Sequence, residues 1–419
     1  VATSELLAGP DAATPAPPDA SAPPDASAPP DASAPPDASA PPEPDQAPRA
    51  AQLLGSPAPA PRVEVARMPV YRPGRSAADA AADHGVAGAV KLASNELPWG
   101  PLPEVEAALS ACLAETNRYP DPRARALRSA LAASLGVEPE QVAVGAGAVG
   151  LLHQIGAAFL RPGDTVVRAE PSFEAYPVIA ALAGATEVPV PVVDGVIDLA
   201  AMADAVDGAT RLVLVAEPNN PTSTSTGAEK LRLVTEVAGP ETLVVLDGAY
   251  HEFLDAPRPD VALELARSRP NVLALRTFSK AHGLAALRVG YAVAHPDVVA
   301  ALDRVAVPFA VSRPAQAAAV ASLARPERVE ERVAAVRVER RRLLAALSDP
   351  RVWSGPAVPT SATNFVWLPV GDDAAALATG LERAGVVTRC FPGVGVRVSV
   401  GAPADNDRFL AAVSGWGRP

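Results

Sequence analysis

A lysine set among small hydroxylated residues just after an apolar run is poorly placed for solvation. The segment Arg276-Thr277-Phe278-Ser279-Lys280-Ala281-His282-Gly283 has that form. Desolvation and a nearby cation lower an amine's pKa, leaving it neutral and able to attack a carbonyl. Arg288, eight residues on, could join Thr277 and Ser279 in holding a phosphate through charge-assisted hydrogen bonds. Upstream, Asp247 closes the apolar run Leu243-Val244-Val245-Leu246, where a carboxylate is costly unless it meets a cation, and Tyr250 follows three residues later. In Glu217-Pro218-Asn219-Asn220-Pro221, the amide of Asn220 could donate to a ligand oxygen. In Gly145-Ala146-Gly147-Ala148-Val149, small residues would let the amides of a helix N-terminus approach a phosphate. Each type also has an ordinary use: a lysine in a turn as a solvated charge, an aspartate after a strand as a cap, Asn-Pro as a turn, a tyrosine as core.

The elements that must position these groups alternate. Short apolar runs at Thr165–Ala169, Leu212–Ala216, Thr242–Leu246 and Val272–Leu275 predict buried strands, with helical stretches between them, and this reads as an α/β domain with a mostly parallel sheet. In such sheets ligands bind beyond the carboxyl ends of the strands, where Asp247 and Lys280 fall. Toward the C-terminus, Glu327–Leu347 has the spacing of a long surface helix, and strand-like Asn364–Pro369 and Gly395–Val400 follow. A second, smaller α/β lobe is expected there. The predicted organisation is a tail over 1–62, an N-terminal segment over 63–114 that joins the small domain, a large domain over 115–305 and a small domain over 306–419.

Composition bounds the rest. The sequence has 419 residues, 49% of them hydrophobic, enough for a large core. A net charge of −11 disfavours nucleic acid as a partner. Cys112 and Cys390 are the only cysteines, and neither they nor the five histidines have metal-site spacing, so no metal is expected and a reducing, cytoplasmic setting is. No apolar run approaches the roughly 20 residues of a membrane helix, and no signal-peptide pattern opens the chain. From Pro17 to Ala40 the unit Pro-Pro-Asp-Ala-Ser-Ala occurs four times in succession, a composition that predicts an extended, disordered tail. Trp353 and Trp367 are expected to pack rather than to act.

The order and spacing of these motifs resemble the fold-type I pyridoxal-phosphate (PLP) aminotransferases, in the branch holding the histidinol-phosphate and aromatic amino acid aminotransferases. The resemblance runs from about Lys91 to the C-terminus. It implies a large domain around a mostly parallel, seven-stranded type of sheet with a smaller α/β C-terminal lobe. It implies that Lys280 bonds the cofactor and carries the substrate proton, that Asp247 keeps the pyridine nitrogen protonated, and that Tyr250 and Asn220 bond the ring's phenolic oxygen. Phe173, in Glu170-Pro171-Ser172-Phe173-Glu174-Ala175-Tyr176, matches the aromatic that stacks on the ring. Ala148, Val149, Thr277, Ser279 and Arg288 would form the phosphate cup. Tyr119 resembles a tyrosine that reaches the neighbouring subunit's cofactor, which implies a homodimer with shared active sites. Arg397 matches the arginine that grips the substrate carboxylate, Arg389 a second arginine that can approach a substrate phosphate, and Asn95 and Trp99 a segment that closes over the substrate.

The implied reaction moves an amino group between an amino acid and a 2-oxo acid. The wording around Ser172-Phe173-Glu174-Ala175-Tyr176-Pro177 favours aromatic amino acids, with glutamate and 2-oxoglutarate as the partner pair. Histidinol phosphate is the alternative substrate, and a decarboxylase or lyase of the same fold the more distant one. Some positions depart from the family's pattern: Gly248 stands where an acid is usual, Ser223 where a glycine is, Leu97 and Trp99 where Asn and Tyr are common, and His282 where Tyr or Phe is frequent.

Overall fold

The computed structural model describes residues 60–68, 75–255, 259–414 and 416. The repeats and the tail expected over 1–62 lie, up to residue 59, outside the described residues.

Among the described residues twelve strands form three sheets: β1 (Val90–Lys91), β2 (Val142–Gly145), β3 (Thr165–Glu170), β4 (Thr186–Pro191), β5 (Thr210–Ala216), β6 (Leu243–Asp247), β7 (Val272–Thr277), β8 (Gly290–Val293), β9 (Phe365–Leu368), β10 (Val386–Val387), β11 (Arg389–Phe391) and β12 (Gly395–Ser399). The seven-stranded sheet has the order β2-β8-β7-β6-β5-β3-β4. Its pairings from β7 through β4 are parallel, and β8 runs antiparallel to both neighbours. A three-stranded antiparallel sheet has the order β11-β12-β9, and β1 pairs with β10. The expected mostly parallel α/β architecture is therefore present.

Period-two alternation in the central strands feeds two apolar layers. Val166, Leu212, Leu214, Val245, Leu273 and Leu275 face one way and pack with Leu151, Leu152 and Ile155 of α1 (Gly147–Phe159) and with Ile179 of α2 (Ala175–Ala183). Val167, Val213, Val215, Val244, Leu246 and Val272 face the other way and pack with Val261 and Leu265 of α3 (Val261–Ser268). Helices on both faces explain why these strands read as continuous apolar runs rather than alternating ones. Each such side chain contributes about 1.5–3 kcal/mol of burial.

Strands β3, β6 and β7 end one or two residues later than the sequence suggests, β5 ends at Ala216 as expected, and β9 and β12 each end one residue earlier. Strand β6 includes Asp247, which pairs in register with Ala216 and Leu275, so the carboxylate is built into the sheet edge. The helix expected over Glu327–Leu347 is α4 (Pro326–Leu347), and it is not simply a surface helix. Val329, Val333, Val336, Arg340, Leu343 and Leu347 form a buried stripe at alternating spacings of four and three, hidden in the sequence by interleaved arginines and glutamates. Trp353 and Trp367 are buried, and Trp353 stacks on Trp416 at 5.0 Å. Among the described residues no helix is long and apolar enough to cross a membrane.

Candidate active site

The carboxyl ends of β5, β6 and β7 open into a cavity of about 310 Å³, lined also by the start of α1 and by Arg389 and Arg397 of the three-stranded sheet. Every expected site residue lines it except Trp99 and Tyr119.

Lys280 follows β7 in a turn closed by Gly283 N donating to Lys280 O at 2.9 Å. Its Nζ donates to Ser94 O at 3.1 Å and Asn95 O at 3.2 Å, and lies 5.7 Å from the centre of the Tyr250 ring. Burial, reinforced by the charge of Arg397, brings its pKa down to about 7, with Glu96 opposing. The amine is thus poised between its charged and nucleophilic forms near neutrality. Asn95 organises this corner from a left-handed backbone (φ 55°), a conformation asparagine tolerates. Its Nδ2 donates to Tyr250 Oη at 2.8 Å, and its backbone N–H donates to Ser399 Oγ at 2.8 Å.

Asp247 forms the buried floor. Tyr176 Oη donates to its Oδ2 at 3.0 Å and Ala249 N to its Oδ1 at 3.1 Å. Burial raises its pKa, and these hydrogen bonds together with Arg276 act against that rise. A carboxylate so placed is stabilised by a cationic ligand atom. Phe173 lines the wall, with its ring edge-on to Tyr176 at 5.6 Å. Asn220 is buried, and its Oδ1 accepts from Arg397 Nη1, which leaves the amide NH₂ as its remaining donor group.

The opposite end is built for an anion. Ser279 N donates to Thr277 Oγ1 at 3.1 Å, and Arg288, in a left-handed conformation (φ 54°), donates from Nη1 to Ser279 Oγ at 3.2 Å and Ala285 O at 2.8 Å. Ala148 and Val149 present the first turn of α1. The close approach requires glycine: a Cβ at Gly147 (φ 75°) would fall 2.4 Å from Arg288 Nη2, and one at Gly290 would fall 2.5 Å from Ala148 N. Helix amides, two hydroxyls and a guanidinium converge as in phosphate sites.

Arg397 is buried, donates to Ala93 O at 2.9 Å, and lies 5.4 and 5.6 Å from the rings of Phe365 and Phe391. Arg389 is directly opposite it across the β11–β12 pair and donates to both carboxylate oxygens of Glu174, at 2.7 and 2.9 Å.

Trp99 (37% exposed) and Tyr119 (77% exposed) stand apart from the cavity. Tyr119 instead stacks on Phe309 at 4.5 Å. Sequence reasoning did not assign Tyr176 or Glu174 a part, although both flank Phe173. A tyrosine in an otherwise apolar helix needs a partner for its hydroxyl, and that was the available signal.

The family of class I and II aminotransferases matches residues 87–413. The aromatic amino acid aminotransferase of Thermobifida fusca is 49% identical over 344 residues, 82% of this chain and 93% of its own length. That of Streptomyces coelicolor is 47% identical over 351 residues, 83% of this chain and 95% of its own. Among solved structures, histidinol-phosphate aminotransferase from Sinorhizobium meliloti, in complex with pyridoxal-5'-phosphate, superposes with a TM-score of 0.76 at 31% identity, covering 84% of this chain and 96% of that one. A lysine amine near neutrality, a buried carboxylate and an anion cradle in one cavity are the equipment such enzymes use, and this chain belongs to the class I and II aminotransferase family, as an enzyme that transfers amino groups.

Proposed function

We propose that this chain is a PLP-dependent aminotransferase acting on aromatic amino acids, with glutamate and 2-oxoglutarate as the partner pair. The observation that carries the cofactor assignment is the alignment of three complementary groups along one cavity: Asp247 at the floor, Lys280 at the wall and the Thr277, Ser279 and Arg288 cradle at the end. They fit a basic ring nitrogen, a carbonyl and a phosphate respectively. The aromatic assignment follows the named relatives at 47–49% identity.

When bound, PLP supplies an electron-accepting ring that stabilises negative charge at the substrate α-carbon. Asp247 holds a proton on the ring nitrogen, and Tyr176 fixes the orientation of that carboxylate. Phe173 would cover one ring face, and the amide of Asn220 with the hydroxyl of Tyr250 would donate to the phenolic oxygen. The amides of Ala148 and Val149, with Thr277, Ser279 and Arg288, hold the phosphate. Arg397 receives the substrate carboxylate, and Asn95, which lines the cavity beside Lys280, bounds the substrate from that side. Nζ of Lys280, with its pKa near 7, takes the proton from the α-carbon and returns it in the opposite half-reaction. Two half-reactions in one site give ping-pong kinetics.

A homodimer is part of this reading. Leu113, Tyr119, Val307 and Phe309 are exposed, and Tyr119 and Phe309 border a surface cavity of about 640 Å³. Tyr119 turned away from its own cavity is suited to reach the phosphate held by a second copy. Light scattering should return twice the chain mass. A cytoplasmic location is the companion proposal, supported by the free thiols Cys112 and Cys390.

The test is spectroscopic. PLP-loaded protein should show an absorption band that phenylalanine and glutamate each bleach, and the bleaching should reverse with phenylpyruvate or 2-oxoglutarate. Absence of a band after adding PLP would overturn the assignment. Transfer from histidinol phosphate is the second reading, favoured by Arg389 beside Arg397 and by the Sinorhizobium likeness; faster bleaching with that substrate than with phenylalanine would establish it.

A further inference from the structure

Arg389 and Arg397 are direct cross-strand neighbours at the mouth and wall of the same cavity. Like charges in that position repel, so each guanidinium needs compensation from elsewhere. Arg397 lies deep, between the faces of Phe365 and Phe391, and donates to Asn220 Oδ1 and Ala93 O. Arg389 lies nearer the solvent and is answered by a full negative charge, Glu174.

The geometry of that ion pair has two consequences. It bridges separate sheets: Arg389 belongs to β11, and Glu174 stands between β3 and α2, next to Phe173. It joins Nη2 of Arg389 to both carboxylate oxygens of Glu174 at its solvent-facing side. The Glu174 side chain is 41% exposed against 15% for Arg389. Glu174 is also the N-cap residue of α2 and makes no side-chain capping bond, so a displaced carboxylate would face water and the positive end of a helix.

We propose that Glu174 is a specificity-determining residue that competes with the substrate's side chain for Arg389. The proposal rests on the aminotransferase reading above and deepens it. With an aromatic substrate, the Glu174–Arg389 pair stays closed and presents a neutral wall beside the Phe391 ring, 5.8 Å from the Arg389 guanidinium. With a dicarboxylic substrate, the distal carboxylate takes the place of Glu174 on Arg389, and Glu174 turns to solvent. One pocket can then serve an apolar and an acidic side chain in alternate half-reactions. A distal phosphate meets the same competition, so Glu174 also disfavours phosphorylated substrates.

The experiment measures dissociation constants of two unreactive ligands on the PLP-loaded protein by calorimetry: glutarate, which keeps the distal carboxylate, and 3-phenylpropionate, which replaces it with a ring. In Glu174→Gln the ratio of the two constants should shift by about tenfold toward glutarate, the scale of removing one competing charged partner. In Arg389→Gln the ratio should shift by a similar factor the other way, and Glu174→Gln/Arg389→Gln should match Arg389→Gln alone. Binding of either ligand certifies that a variant is folded. A ratio unmoved in Glu174→Gln, or a double variant that keeps the glutarate gain, would overturn the proposal. Wild-type bleaching by phenylalanine tests the underlying reading separately, so an intact half-reaction with an unmoved ratio sinks only the role of Glu174.

Discussion

Replacing Tyr176 by phenylalanine tests whether Asp247 is poised as the structure implies. The change deletes one oxygen whose proton is donated to Asp247 Oδ2 at 3.0 Å, in a region where both side chains are buried. Ala249 N is the other direct donor, so the carboxylate loses one of its two hydrogen bonds. A hydrogen bond to a charged acceptor is worth about 1.5–3 kcal/mol, and about 1.4 kcal/mol corresponds to a factor of ten. The Asp247 carboxyl is already raised by burial and held back by Tyr176, Ala249 and Arg276, so losing the hydroxyl raises it further. A group with a raised pKa takes up its proton at higher pH, and protonated Asp247 cannot balance a cationic ring nitrogen. PLP affinity of the apoprotein should therefore fall by about ten- to a hundredfold in Tyr176→Phe. The deficit should be largest at acidic pH and shrink as pH rises. Fluorescence titration of apoprotein with PLP across a pH series measures both features, with Asp247→Asn as the limit in which no pH restores binding. Unchanged affinity at every pH would refute the argument that this hydroxyl sustains the charge on Asp247.

Three further outcomes are expected. In apoprotein, the rate at which an amine-directed reagent labels the Lys280 peptide, read by mass spectrometry, should climb through pH of about 7 and level off above it, because only the neutral amine reacts; a rate still climbing near pH 10, where ordinary lysines titrate, would show that burial does not lower this group. Ser223→Gly should stabilise the protein by about 1 kcal/mol in urea unfolding, since Ser223 sits at φ 66° with a buried hydroxyl that lacks a hydrogen-bond partner, and relief of both outweighs the added chain entropy of glycine. Arg340→Met should destabilise by about 3–5 kcal/mol in the same assay: the fully buried guanidinium donates to Phe253 O and Thr363 O, both at 2.8 Å, and pairs with Asp255, and methionine strands those carbonyls.

The parts of the site that the sequence made legible are those carried by short, local signals. Asp247 and Lys280 end or follow apolar strands, and parallel sheets place such ends on one edge, so their convergence could be foreseen without knowing strand order. The Gly145–Val149 loop was legible for the same reason, as a strand end meeting a helix start. What remained hidden depends on contacts between distant segments. Glu174 and Arg389 are 215 positions apart, and nothing in either neighbourhood announces the other. Tyr176 occupies a position in α2 where a tyrosine passes for core, and only its hydroxyl's contact with Asp247 reveals a role. The buried stripe of α4 is masked because its exposed faces are so heavily charged. For Trp99 and Tyr119 the motif was readable but its location was not, since neither reaches the cavity of its own chain.

The substitution at Gly248 shows how a departure from pattern can preserve a charge balance. An acid beside Asp247 would be the obvious counterion for Arg276, which is itself buried at the end of β7. Here a Cβ on Gly248 would lie 2.0 Å from Arg276 Nη1, so the guanidinium occupies the space that a side chain would need. Its counterion comes instead from Asp260, whose two oxygens accept from Arg276 Nη2 at 2.7 and 2.9 Å. Asp260 also caps α3 by accepting from Leu263 N at 3.0 Å, and that second bond fixes the carboxylate where Arg276 needs it. Burial works against the charge on Asp260, but Arg276, His251 and the Leu263 N–H together outweigh it and hold the pKa below the ordinary value. The negative charge that answers Arg276 thus sits at a helix cap, and Arg276 counters the burial of Asp247. Asp260, thirteen positions from Asp247, supplies the counter-charge that holds Arg276 where it acts on Asp247.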